Sequence, residues 1–166
     1  MYFHYESALP NRLYWGHEAG LYTEEAADDF PVTGPKFRVA ITFDADGDGI
    51  KDLLIGTQPS EQTFVLSLFT GTGGRNFEEQ TDSPLHLDIG HGRRMALFDG
   101  DFTGDGTTDV FVFRRAAESV ADAPLILFVG EGQGRYHVMT DTHKAVGTFG
   151  SSVISADLTN DGIDDM

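Results

Sequence analysis

The chain has 166 residues, no cysteine and a formal net charge of −16. Without cysteine it can hold no disulfide framework, thiolate zinc site or cysteine nucleophile. The acidic excess argues against nucleic acid as the main partner, because phosphate binding requires clustered lysine and arginine. Hydrophobic residues make up 40% of the chain, as in an ordinary folded domain. No apolar run approaches the roughly 18 residues of a membrane span, so membrane insertion is not expected.

The acidic residues are concentrated in three nine-residue segments that share one spacing. We call them loop one (44–52, DADGDGIKD), loop two (101–109, DFTGDGTTD) and loop three (157–165, DLTNDGIDD). They begin 57 and then 56 residues apart. A fixed period of this size indicates a repeat architecture.

The repeat extends beyond the acidic loops. A glycine followed six residues later by an aromatic residue recurs three times, as Gly16 and Tyr22, Gly71 and Phe77, and Gly130 and Tyr136. Short apolar runs separated by turn residues predict an all-β fold. The predicted strands lie near 37–43, 52–57, 63–70 and 76–81 in the first full repeat, and near 93–98, 109–113, 124–129 and 135–140 in the second.

Four short antiparallel strands per repeat are typical of a β-propeller blade, here with the acidic loop between strands one and two. We therefore expect residues 1–166 to be a segment of a β-propeller. Its parts are a half blade at 11–25, blades at 37–81 and 93–140, and the start of a further blade at 149–166. Because a closed propeller has about 4–8 blades, we expect the remaining blades to come from a longer chain or from self-assembly. The segment that contains His86 and His91 is expected to be a loop.

The density of carboxylates in each loop predicts a bound cation. Two unit charges about 4 Å apart repel by roughly 4 kcal/mol at an effective dielectric constant near 20, and a divalent ion would offset that cost. Oxygen donors without histidine or cysteine favour calcium over zinc. An EF-hand is excluded, because it needs a glutamate at the twelfth loop position, which is Ile55 in loop one and Val112 in loop two.

The segment 43–56, FDADGDGIKDLLIG, resembles the calcium-loop core of FG-GAP/VCBS repeats. Such repeats build β-propellers in integrin α-subunit heads and in many bacterial secreted proteins. The resemblance covers roughly residues 11–165. Thr103 and Thr159 depart from the pattern, because aspartate or asparagine is usual at the third position of the loop.

The resemblance implies up to three Ca²⁺ ions, each held by four side chains and one backbone carbonyl. Loop three ends at the edge of the chain given, so its site is expected to be incomplete. Among these implied donors, loop one has four carboxylates against three in each of the others, and is expected to bind tightest. The implied oxygen donors are Asp44, Asp46, Asp48, the Ile50 carbonyl and Asp52; Asp101, Thr103, Asp105, the Thr107 carbonyl and Asp109; and Asp157, Thr159, Asp161, the Ile163 carbonyl and Asp165.

These observations predict a calcium-stabilised, integrin α-like binding or adhesion module whose calcium is structural and whose partner is a protein or a glycan. Calcium sites of this kind favour a secreted, cell-surface or periplasmic location, although the chain as given begins without a signal peptide. The alternative is a fragment of a propeller enzyme, a polysaccharide lyase or hydrolase. No catalytic constellation is recognisable in the sequence, which favours the non-catalytic reading.

Overall fold

A computed structural model describes residues 14–16, 20–24, 37–60, 63–90, 94–115, 125–139 and 154–165. The chain divides into two compact units, Met1–Pro35 and Lys36–Met166. In the first unit, β1 (Tyr14–Gly16) and β2 (Tyr22–Glu24) form an antiparallel hairpin. The described residues contain no helix with the length and hydrophobicity that crossing a bilayer requires.

The first sheet of the second unit follows the chain. Its strands are β3 (Phe37–Phe43), β4 (Asp52–Ser60), β5 (Thr63–Gly73) and β6 (Asn76–Glu79), paired antiparallel in sequence order. Leucine, isoleucine and phenylalanine supply the large buried side chains of β3, β4 and β5, as is typical of strands that pack on a core. The four predicted strands are confirmed, with β4 and β5 each extending three residues further and β6 ending two residues earlier than predicted.

A fifth strand, β7 (Leu87–Gly90), corrects the expectation that the whole segment around His86 and His91 is a loop. It pairs with β5 from Phe64 to Leu66, while β6 pairs with β5 from Phe69 to Gly73. The side chain of Leu85, just before β7, is fully buried and anchors the segment on the core. His91 lies outside the described residues.

The second sheet has the four predicted strands within two residues of their expected bounds. They are β8 (Arg94–Gly100), β9 (Asp109–Arg115), β10 (Leu125–Gly130) and β11 (Tyr136–Met139), again antiparallel in sequence order. Residues 93, 116–124 and 140 of the predicted blade lie outside the described residues.

Apolar side chains of the second sheet are buried on both of its faces. Alternate residues along a strand point to opposite faces, so the buried side chains fall into two sets. Leu97, Val110, Val112 and Phe128 join a core shared with the first sheet, including Phe43, Leu54, Leu66 and Leu68. The alternate residues Phe98, Phe111, Leu127 and Val129 form a second cluster on the opposite face. Each such side chain contributes about 1.5–3 kcal/mol on burial, so the two sheets are held together mainly by apolar packing.

Of the remaining predicted parts, only some fall on described residues. At the C-terminal end, the described residues 154–165 include loop three, which is closed by a bridge between Ala156 and Asp165. Residues 149–153 and 166 of the predicted further blade, and residues 11–13, 17–19 and 25 of the predicted half blade, lie outside the described part.

Candidate functional site

The three acidic loops are closed by equivalent pairs of residues. Each loop has nine residues and carries an aspartate at its first and at its ninth position. The ninth residue pairs with the residue just before the first. These pairs are Phe43 with Asp52, Gly100 with Asp109, and Ala156 with Asp165. The position predicted for the loops, between the first and second strands of each sheet, is therefore confirmed for loops one and two.

The backbone takes the same course through all three loops. The fourth and sixth residues have positive φ, from 58° to 87°. These residues are Gly47 and Gly49, Gly104 and Gly106, and Asn160 and Gly162. Glycine and asparagine tolerate this conformation best, which accounts for the residues found at the fourth and sixth positions of the loops.

The first aspartate of each loop folds the turn around its own carboxylate. In loop one, the Asp44 oxygens accept the N–H groups of Gly47 at 2.8 Å and Gly49 at 2.9 Å. Asp101 and Asp157 accept the N–H of the sixth residue in the same way, at 2.8 and 2.9 Å. These hydrogen bonds within the chain hold each turn in shape without a ligand.

Loop one brings three predicted donors together. One carboxylate oxygen from each of Asp44, Asp46 and Asp48 lies within 4.8 Å of the other two. Calcium–oxygen distances of about 2.3–2.6 Å allow a single ion to contact all three. These carboxylates are partly or fully exposed, so an ion can reach them from solvent.

Loop two has a different balance of donors. Its third residue is Thr103, whose hydroxyl oxygen is shielded from solvent and lies near the carboxylates of Asp105 and Asp109. Hydrogen bonds from the hydroxyl and the N–H of Thr107 lower the pKa of Asp105 and keep that carboxylate ionised. A hydroxyl oxygen close to an ionised carboxylate supplies the kind of oxygen donors that a hard cation prefers.

The aspartates at the ninth position of loops one and two, Asp52 and Asp109, have a structural role that the sequence analysis did not assign. Asp52 is fully buried, and its two oxygens accept the N–H groups of Ala45 at 2.5 Å and Gly71 at 2.8 Å. Asp109 is also fully buried and accepts the N–H of Gly130 at 2.8 Å, together with those of the second and third loop residues. Burial raises the pKa of both carboxyl groups. The recurrent glycine at the end of the third strand was the sequence signal that could have found this role.

Loop three repeats part of this pattern. Asp165 accepts the N–H groups of Leu158 at 3.0 Å and Thr159 at 3.2 Å, both from the loop itself. The N–H of Ile163 binds the carboxylate of Asp161 at 3.0 Å, as Ile50 binds Asp48 in loop one at 2.7 Å. The carbonyl groups of the seventh residues as metal donors stay a prediction.

The second sheet reaches loop one through the turn between β10 and β11. The N–H of Gly134 binds the carbonyl of Ala45 at 3.0 Å. Tyr136 packs its ring edge-on against Phe43, with the ring centroids 6.5 Å apart. Burial, followed by the charge of nearby Asp52, raises the pKa of Tyr136 above its ordinary value. In the second sheet, the aromatic residue after the glycine, Tyr136, therefore fastens this repeat to loop one of the preceding repeat.

Comparison with known families decides the classification. The FG-GAP-like repeat matches residues 44–112 and again 101–166. The chain belongs to the FG-GAP-like repeat family. Each match begins at the first aspartate of an acidic loop and includes the next loop, so the family pattern has the same period as the loops. None of the curated proteins or solved structures compared with the chain matches it significantly.

Proposed function

We propose that this FG-GAP-like chain is a calcium-stabilised segment of a β-propeller. In this proposal, each acidic loop holds one structural Ca²⁺ at the turn between the first two strands of a blade. The observation that carries the proposal is the convergence of Asp44, Asp46 and Asp48 on one point at calcium-compatible distances. The ionised carboxylate of Asp105 in loop two, with the hydroxyl of Thr103 near it, is consistent with a second site of this kind.

The proposed module binds a protein or a glycan through loops other than the acidic ones, and it is exported to the cell surface, the periplasm or the extracellular space. Extracellular calcium modules have dissociation constants of about 10⁻⁴–10⁻³ M, so their loops fill only where calcium is abundant. The cation would release the repulsion among the carboxylates and hold each turn in its folded shape. Remaining blades of a longer chain, or further copies of this one, would complete the propeller. A propeller lyase or hydrolase is the alternative that the sequence leaves open. No observation in the described residues favours it.

A thermal melt tests the calcium role. The full chain is heated in about 2 mM CaCl₂, above the range of extracellular calcium sites, in MgCl₂ at the same concentration, and in excess EGTA. A site with Kd about 10⁻⁴ M at this calcium concentration adds about 1.8 kcal/mol, which for a chain of this size raises Tm by roughly 4–7 °C per occupied loop. Calcium should give this rise and magnesium should not. Equal, cooperative melts in all three buffers would refute the proposal.

A further inference from the structure

Asp164 makes a contact between two acidic loops that the predicted set of oxygen donors leaves out. It is the eighth residue of loop three, and it binds the first residue of loop two. Its N–H donates to the carbonyl of Asp101 at 2.8 Å, and its Oδ2 accepts the N–H of Asp101 at 2.9 Å. Two hydrogen bonds thus join residues that are 63 positions apart in sequence.

The contact depends on a glycine that only loop two has. A Cβ atom added at Gly100 would lie 2.6 Å from Oδ2 of Asp164 and 3.0 Å from the ring of Phe102. The equivalent residues, just before loops one and three, are Phe43 and Ala156. Gly100 therefore opens the space in which Asp164 reaches the backbone of loop two.

Two further contacts bring loop three against loop two. The side chain of Ile163 lies so close to Gly104 that an added Cβ would approach it to 2.8 Å. The hydroxyl of Ser155 donates to the carbonyl of Asp99 at 2.8 Å. Among the described contacts, loop one has no other acidic loop against it. The carbonyl of its second residue, Ala45, accepts a hydrogen bond from the β10–β11 turn instead.

We propose that Asp164 is a positioning residue that couples loops two and three, so that a cation bound in either loop raises the affinity of the other. The inference rests on the proposed calcium function. Asp164 lies between Ile163 and Asp165, two predicted donors of loop three, and an ion there would hold it against Asp101. Asp101 is the first predicted donor of loop two, so a second ion would find it already ordered and would pay less conformational entropy. Coupling of this kind is reciprocal and typically changes affinity about 5- to 150-fold.

The experiment follows each loop separately in the full chain. The N–H groups of Gly49, Gly106 and Gly162 each bind the first aspartate of their own loop. Their resonances in ¹H–¹⁵N NMR spectra, recorded during a CaCl₂ titration, therefore report the filling of loops one, two and three. The substitution Asp161→Asn weakens loop three without touching loop two. We expect it to raise the calcium midpoint at Gly106 by about fivefold or more.

Variants at Asp164 separate coupling from a merely structural role. Asp164→Ala should raise the midpoint at Gly106, and adding Asp161→Asn should then have no further effect. Asp164→Asn keeps an oxygen acceptor for the Asp101 N–H, and should retain most of the coupling. Gly100→Ala should weaken the coupling without removing a carboxylate. Lys51→Ala, at the equivalent position of loop one, is the matched control and should leave the Gly106 and Gly162 midpoints unchanged.

The outcomes distinguish the two proposals. If Gly106 responds to calcium with the same midpoint in the wild type and in Asp161→Asn, the calcium function stands and the coupling is refuted. If none of the three glycine amides responds to calcium, both are refuted. A midpoint at Gly106 that depends on loop three in the wild type and in Asp164→Asn, but not in Asp164→Ala, establishes the coupling.

Discussion

The carboxylate of Asp52 accepts the backbone N–H of Gly71, 19 residues along the chain, at 2.8 Å. The equivalent bond joins Asp109 to Gly130 in the second sheet, also at 2.8 Å. Each bond ties the end of an acidic loop to the end of the third strand of its sheet. The aspartate at the ninth position of the acidic loop is therefore needed for the fold whether or not a metal is bound.

Replacing this aspartate should destabilise the metal-free protein. Asp52→Ala leaves the buried N–H groups of Ala45 and Gly71 without acceptors, at about 1–3 kcal/mol each, and removal of a buried charge offsets part of that cost. We expect a net loss of about 2–4 kcal/mol in the free energy of unfolding, measured by urea denaturation in excess EGTA. Asp82→Ala, at an exposed position, is the control and should change stability little. Equal stability of the two variants would contradict the structural role of Asp52.

The same carboxylates predict an unusual dependence of stability on pH. Burial raises the folded-state pKa of Asp52 and Asp109 above the ordinary value of 3.8. Their contribution is thus fully present below that value and is lost as the pH rises through the folded pKa. Without metal, the free energy of unfolding should rise as the pH is lowered from neutral towards 3.8.

Below that window the dependence should reverse. The lowered pKa of Asp105 means that its contribution is present above 3.8 and is lost as the pH falls further. Urea denaturation in EGTA across this range gives the curve, and Asp52→Ala should flatten its upper part. A steady loss of stability below pH 7 would show that the buried carboxylates do not control it.

Two glycines should resist substitution because backbone passes too close to them. A Cβ at Gly71 would lie 2.5 Å from the carbonyl oxygen of Lys51, and a Cβ at Gly130 would meet the carbonyl of Thr108. Gly71→Ala and Gly130→Ala should each lower the free energy of unfolding by about 1–3 kcal/mol, as other overpacked sites do. The exposed neighbour Thr72 offers the control Thr72→Ala. Thermal melts that place Gly71→Ala and Thr72→Ala together would disprove the close approach.

Tyr136 should act mainly through its ring. It is 6% exposed and packs against Phe43, whereas its hydroxyl lies 3.5 Å from the carbonyl of Ala45, at the limit of a hydrogen bond. Tyr136→Phe should therefore cost less than about 1 kcal/mol, and Tyr136→Ala about 3–5 kcal/mol. The half-exposed Val138 gives a control on the same strand, Val138→Ala. A large loss in Tyr136→Phe would mean that the hydroxyl, not the ring, holds the β10–β11 turn against loop one.

The loops should differ in calcium affinity because they differ in charge. Loop one has Asp46 where loop two has Thr103, and ligand charge tunes the affinity of such sites. We expect loop one to bind about tenfold more tightly, read from the Gly49 and Gly106 amides. Asp46→Thr should weaken loop one, and Thr103→Asp should strengthen loop two. Tighter binding at loop two in the wild type would show that geometry outweighs the number of charges.

Most of the fold follows from local sequence. Alternating apolar residues and glycine-rich turns predict eight strands of the two large sheets within three residues, because the pattern and the turns both act over a few positions. The strand β7 was missed, although Leu85, just before it, and Leu87 and Ile89, within it, show the alternation of a strand. β7 pairs with β5 and not with β6, which precedes it in the chain. This non-local pairing is possible because β5 is long enough to pair with both strands.

The site could be predicted only in part for a related reason. The convergence of Asp44, Asp46 and Asp48 is local, and their spacing predicts it. The role of Asp52 depends on an N–H from the third strand, and the role of Asp164 depends on a neighbouring repeat. Such contacts leave only indirect traces in the sequence, such as the glycines at 71 and 100.

The outer edge of β5 is divided between two short strands. β6 and β7 each have four residues, and between them the N–H of Gln80 binds the carbonyl of Leu68 at 2.8 Å. The rim of this sheet is therefore never a long, flat row of free backbone groups, and it carries the exposed carboxylates of Glu78 and Glu79. Short, charged and interrupted rims are poor templates for strand addition by other molecules. This side of the protein is thus built to resist aggregation.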